Sequence, residues 1–217
     1  MPPPPPLGAA TPSPTEGETS RVLFLTLEFA EPWLFSGNGV YSRAFVFNLA
    51  RFAGARVLVV CGRPAGASKA GRWGAPADDA ATEAPSRAGR VPPVHANAAN
   101  DADARAVFEN GRVEVRTVAL PTWYRLDRES SWREFGEGVR QWSAEVARFR
   151  PDVVLGVDWT SRLALETLRR NDATLKRVPF IYLCFRVFSN PPPAQHVSHD
   201  DRKFYQLREA ETLQLAV

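Results

Sequence analysis

Unbroken apolar runs alternate with apolar stripes of helical period through most of the chain. Residues 22–27 read Val-Leu-Phe-Leu-Thr-Leu, the pattern of a parallel strand covered on both faces. Glycines punctuate the loop that follows, and a helix is predicted over 38–52. There Tyr41, Phe45, Leu49 and Phe52 recur at helical spacing as one stripe, and Gly54 supplies the stop. Residues 56–62 form a second buried strand, so the segment spells strand, helix, strand, with a right-handed crossover. Residues 112–118 alternate apolar and polar, as a strand nearer the sheet edge does. Ser131 and Glu134 then make a capping box opening a helix on which Phe135, Val139, Trp142, Val146 and Phe149 share a face, closed by Pro151. Residues 152–157 give another buried strand. A helix over 161–170 follows, with Arg169 and Arg170 complementing its dipole. Residues 178–184 give a fifth strand, and a last helix starts near Ser198 with Phe204, Leu207 and Leu213.

Five strands alternating with four helices predict an α/β domain, a single Rossmann-like, doubly wound, mainly parallel sheet. Two stretches stand outside it. Residues 1–20, rich in Pro, Ser, Thr and Gly, read as a disordered leader with polyproline character. Residues 63–110 are Ala, Gly, Pro, Asp and Arg with few large apolar residues, and read as a mostly disordered insertion.

The totals add exclusions. The chain has 217 residues with 27 Lys and Arg against 24 Asp and Glu, and its scattered basic residues do not make a nucleic-acid surface. The two cysteines, Cys61 and Cys184, are too few for a disulfide scaffold; both are expected at strand ends as buried or half-buried thiols. No stretch reaches the roughly 20 apolar residues of a membrane span. Met1 followed by five prolines is no secretory signal. The expected compartment is the cytoplasm.

In an open α/β sheet the ligand lies beyond the carboxyl ends of the strands, so the chemistry is sought in the loops after each strand. The first carries Ser36-Gly37-Asn38-Gly39. Without Cβ atoms the backbone approaches a ligand closely, and N–H groups at the positive end of a helix suit an anion such as a diphosphate. Ser42 stands where G-x-G-x-x-G needs its third glycine, which disfavours a pyridine-nucleotide dehydrogenase, and no Lys-Ser/Thr follows as in a P-loop. A tight strand-to-helix turn explains the same glycines. Glu28 stands at the mouth of the first strand, either accepting from sugar hydroxyls or pairing with an arginine. Asp158 and Trp159 stand at the mouth of another. A carboxylate and an indole together hold sugars; equally, Asp158 or Thr160 caps the helix and Trp159 packs beneath it. Arg186 follows the fifth strand and is placed to face an anion. His196 and His199 lack the helical framework of a metal site and read as solvated or capping. No metal is predicted.

The run Glu28-Phe29-Ala30, Ser36 to Tyr41, the helix ending Asn48-Leu49-Ala50 before Gly54, and the strand 55–60 resemble the start of family 4 glycosyltransferases and their glycogen and starch synthase relatives. Arg150-Pro151-Asp152-Val153-Val154 with Val157-Asp158-Trp159, and the helix 204–216, are similar to later segments of that family. The resemblance implies a GT-B enzyme, in which two Rossmann-like domains face across a cleft and the sugar is transferred with retention. This chain would be the N-terminal, acceptor-binding half. Residues 36–39 would reach toward the diphosphate of a nucleotide-sugar donor, with Glu28, Asp158, Trp159 and Arg186 lining the acceptor side. Two positions depart from the pattern. Phe35-Ser36 stands where the synthases carry a lysine, and Cys184-Phe185-Arg186 where many members carry a histidine, leaving Arg186 as the candidate for that role. The donor-binding C-terminal domain is not among these residues, so the expectation is a half-enzyme inactive alone, with no cofactor besides the nucleotide-sugar co-substrate. The alternatives are a non-catalytic module of the same descent that pairs with another chain, and a small nucleotide binder complete at this length.

Overall fold

A computed structural model describes residues 19–29, 37–65, 105–122, 129–186 and 198–216. Residues 1–18 of the leader, Ser36, most of the insertion and His196 lie outside the described residues. The apolar runs and the alternating segment form strands β1 (Arg21–Thr26), β2 (Arg56–Pro64), β4 (Val113–Leu120), β5 (Val153–Val157) and β6 (Phe180–Leu183). These five pair in parallel in the order β4-β2-β1-β5-β6. A further strand, β3 (Arg105–Phe108), adds antiparallel to the outer side of β4. Strand structure therefore enters the stretch read as a mostly disordered insertion at both of its ends, since β2 also runs on to Pro64. The chain is thus an α/β, Rossmann-like doubly wound sheet.

Helix α1 (Gly37–Phe52) covers one face, where Val46 and Ala50 pack among Phe24, Val57, Val59 and Leu155. The other face is covered by α2 (Glu129–Gly138), α3 (Ser143–Phe149) and α4 (Arg162–Asn171), whose Phe135, Val146, Leu165 and Leu168 pack on Leu23, Leu25, Leu58 and Val60. Helix α5 (His199–Leu213) lies near the carboxyl ends of the strands, joined to them through an aromatic cluster. Ser198 caps it by accepting from the Asp201 N–H at 3.1 Å. Among the described residues no helix is long and apolar enough to cross a membrane.

Local patterns were less faithful than the element order. The stripe read on α1 is not its buried face: Gly39, Ser42, Val46 and Ala50 are buried, while Tyr41 is 65% and Phe52 79% exposed. Small side chains let the helix axis approach the sheet, and the aromatic residues wedge in from its flanks, Phe45 against Phe24 and Phe47 against Phe29 and Phe108. Likewise α5 buries Tyr205 and Thr212 and leaves Leu207 and Leu213 exposed.

The predicted helix over 131–150 is interrupted by a 3₁₀ turn, Val139–Trp142, although its apolar face is buried as expected apart from the half-buried Phe149. Its glycines are contact residues. A Cβ on Gly136 would lie 2.3 Å from Leu163 Cγ, and one on Gly138 would lie 2.1 Å from Val118 Cγ1. The capping box is absent: α2 begins two residues before Ser131. Ser131 Oγ donates to Thr122 O at 2.7 Å, and Glu134 Oε2 accepts from Thr122 N at 3.1 Å. The pair therefore latches α2 to the end of β4. Cys61 is buried, but Cys184 is exposed.

Candidate functional site

From β1 the chain turns to β2 over the α1 face. From β4 it returns over the opposite face through α2 and α3 to β5, on the other side of β1. The connections therefore diverge at the carboxyl ends of β1 and β5, the point where open α/β sheets hold ligands. A small cleft opens there, lined by Thr26, Glu28, Asn38, Asp158 and Thr160. Two larger grooves lie at the amino-terminal ends of the strands. In the first Arg116 pairs with Glu114 and Glu145, and in the second Arg21 pairs with Asp152. The Arg21 guanidinium and N–H hold the Asp152 carboxyl below its usual range, so these pairs tie strand starts together.

Asp158 organises the cleft. It is 2% exposed and has φ 51° and ψ 174°, a conformation nearly restricted to glycine that costs of order 1–3 kcal/mol elsewhere. Its backbone is held at both ends: its N–H donates to Leu183 O at 2.9 Å, and its carbonyl accepts from Ser161 Oγ at 2.9 Å. Its carboxylate does not cap the following helix. Instead Oδ2 accepts from Asn38 Nδ2 at 2.7 Å, and Oδ1 accepts from the N–H groups of Phe185 at 2.8 Å and Arg186 at 3.1 Å. One side chain thus joins the first turn of α1, the end of β5 and the segment after β6. Burial pushes its carboxyl up to about 6, opposed by these three hydrogen bonds and the Arg186 charge. Near neutrality it is a desolvated carboxylate that accepts from three protein donors.

Glu28, 6% exposed, is set at the cleft by a local turn. Thr26 Oγ1 donates to Glu28 O at 2.9 Å and is also 3.4 Å from Ser42 Oγ on α1. Ser42, the residue in the third glycine's place, is fully buried and makes the close helix–strand contact itself. Gly37 is exposed in the first turn of α1. Nothing in the described fold demands glycine there: a Cβ would meet only Tyr41 Cε2 at 3.7 Å, an ordinary contact, and its φ is not positive.

The structure thus brings Glu28, Asn38, Asp158 and the Arg186 backbone together beside the α1 terminus. Trp159 is not at the surface of this cleft. It is 0% exposed, with edge contacts to Trp132 at 5.5 Å and Phe204 at 5.8 Å and a tilted contact to Tyr205 at 6.1 Å. It packs beneath the turn as an anchor for α2 and α5 and has no free face for a sugar. His199 is exposed at the start of α5. Among the described residues no group of three or more His, Cys, Asp or Glu is placed to hold a metal ion. Sequence reading missed Thr26 and Thr160 as lining residues; the one polar position inside the β1 run was the signal for Thr26. Compared with known proteins, the chain matches no protein-family model and no curated protein sequence.

Proposed function

We propose that this chain is the acceptor-side half of a retaining glycosyltransferase and that the cleft between β1 and β5 holds the hydroxyl-bearing acceptor. The observation that carries this reading is the Asp158 carboxylate, buried, strained and aimed across the switch point beside Glu28. In this reading the Glu28 carboxylate and the remaining lone pairs of Asp158 accept from neighbouring sugar hydroxyls, and burial strengthens each such bond. The same carboxylates repel a diphosphate at this spot. In this reading the donor is held mainly by a second Rossmann-like domain, and the α1 terminus at Gly37 to Gly39 meets the diphosphate from the outer side. Among the described residues nothing requires glycine at 37, which agrees with close approach by an external group. Catalysis then rests on holding the acceptor hydroxyl in line and on oriented N–H groups facing the leaving diphosphate.

The test is saturation-transfer NMR on the purified chain with a panel of neutral mono- and disaccharides and with UDP- and GDP-sugars. Saturation of neutral sugars that Asp158→Asn removes supports the reading. Tight nucleotide-sugar binding with no response from any neutral sugar overturns it in favour of a nucleotide-binding module.

A further inference from the structure

Asn38 lies in the first turn of α1, between the two glycines read as facing the donor, yet it also lines the acceptor cleft. It is half-buried, and its Nδ2 donates to Asp158 Oδ2 at 2.7 Å. The other oxygen of that carboxylate is held by main chain, the N–H groups of Phe185 and Arg186. Among the described residues Asn38 is therefore the one side chain that donates to Asp158. The turn that carries it is set closely against β1. Gly39 and Ser42 are buried, and Ser42 Oγ lies 3.4 Å from Thr26 Oγ1. The amide thus reaches Asp158 from a fixed base.

The type of donor matters. A carboxylate offers about four lone-pair sites, and the three hydrogen bonds leave about one of them. A guanidinium at this position would take both oxygens and neutralise the charge, and a second carboxylate would repel it. A neutral amide giving one N–H to one oxygen fixes the carboxylate plane and leaves both the charge and a lone pair. We infer that Asn38 is a positioning residue for the acceptor, acting through Asp158: its amide orients the carboxylate so that the remaining lone pair takes a sugar hydroxyl. The inference rests on the acceptor reading of this cleft. The same hydrogen bond favours the charged form. Burial pushes the Asp158 carboxyl up to about 6, and the bonds from Arg186, Phe185 and Asn38 hold it from rising further. The other charged and titratable groups around it are Glu28 in the cleft, Arg186, and Tyr182 and Cys184 at the end of β6, with Glu209 of α5 acting on the same two. All of them are common to wild type and an Asn38 variant, so a shift on replacement reads the amide.

The test compares wild type with Asn38→Leu, which keeps the outline of the side chain and removes the donor, and with Asn38→Gln, which keeps an amide. The backbone amides of Phe185 and Arg186, bonded to Oδ1, report the Asp158 titration by NMR. Asn38→Leu should raise its midpoint by about one pH unit. Dissociation constants are then measured by saturation-transfer NMR, with glucose and maltose as probes. The raised midpoint alone weakens binding about threefold at about pH 6.5 and leaves it equal at about pH 8.5, where both proteins carry the charge. Lost orientation adds a further loss, about threefold or more, that persists at about pH 8.5. Asn38→Gln should recover part of both effects. An unmoved midpoint, or full recovery of Asn38→Leu at the higher pH, overturns the positioning role. When wild type in that case still binds a sugar that Asp158→Asn does not, the acceptor reading stands without it. A moved midpoint with no neutral sugar bound by wild type overturns the acceptor reading, and the inference with it.

Discussion

Replacing Asp158 by asparagine keeps the side-chain shape and removes the buried charge, and the structure sets the size and sign of the effect on stability. In the folded chain burial raises the Asp158 carboxyl from the ordinary 3.8 to about 6, against hydrogen bonds from Arg186, Phe185 and Asn38 that pull it down. A folded-state value above the unfolded one means that the folded chain binds the proton more tightly. The associated stability is complete below about pH 4 and is lost as pH rises through about 6, beyond which the curve is flat. The rise of roughly two pH units corresponds to about 3 kcal/mol at about 1.4 kcal/mol each. Asp158→Asn has no proton to lose and so lacks this fall. The asparagine Oδ1 still accepts from Phe185 and Arg186, but its amide group meets the Asn38 amide, donor against donor. That conflict offsets the variant's stability by the same amount at every pH and does not alter the slope. Urea unfolding of both proteins between about pH 4 and pH 7 reads the difference directly. Wild type should lose about 3 kcal/mol relative to Asp158→Asn over that interval, with the change centred between about 4 and 6. Other carboxylates titrate in both proteins and cancel. Parallel curves would mean that the carboxylate is solvated and that the cleft is not the desolvated site described above.

Three further outcomes follow from particular contacts. A Cβ on Gly156 would lie 2.4 Å from Ser161 Oγ and 2.5 Å from Phe180 Cε2; Gly156→Ala should therefore cost about 1–3 kcal/mol in chemical unfolding, and a neutral result would show that the β5–β6 packing yields. Trp159→Ala empties a site that is 0% exposed and should cost about 3–5 kcal/mol, with α5 amides losing hydrogen-exchange protection first because Trp159 touches Phe204 and Tyr205; uniform loss across the chain would show that α5 is not anchored there. The purified 217-residue chain should turn over no UDP- or GDP-sugar and give weak or no calorimetric binding to either, and measurable transfer would refute the half-site proposal.

The succession of strands and helices was legible because four apolar runs and one alternating segment of strand length stand between helical patterns, and strands of a parallel sheet buried on both faces demand such runs. Strand β3 was not, since its four residues Arg-Ala-Val-Phe sit in an Ala-, Gly- and Asp-rich texture and gain strand structure only by pairing with β4. The buried face of α1 was misread by size: Tyr41 and Phe52 outweigh Ser42 and Ala50 in any apolar stripe, yet small residues decide how closely a helix approaches a sheet. Ser131 and Glu134 have the spacing of a capping box, but Thr122 offered both of them a tertiary partner. For the cleft, Glu28, Asn38 and Asp158 were each found as residues at strand mouths or at the helix start. Their relation was hidden, because Asn38 and Asp158 meet across 120 positions and Phe185 and Asp158 across 27. A polar residue at a strand end advertises a location and says nothing of its partner. Trp159 had two readings at the same position, and only its enclosure by Trp132, Phe204 and Tyr205 decides between them.

The most direct measurement is a site-resolved NMR titration of the chain with a sugar that binds it, followed at the Asn38 side-chain amide and the backbone amides of Phe185 and Arg186, the three donors to Asp158. Saturable shifts concentrated on these three groups, and abolished in Asp158→Asn, are the predicted result. Shifts that map instead to the groove at the opposite end of the sheet, around Arg21, Asp152 and Asp172, would contradict the assignment of the β1–β5 cleft as the acceptor site.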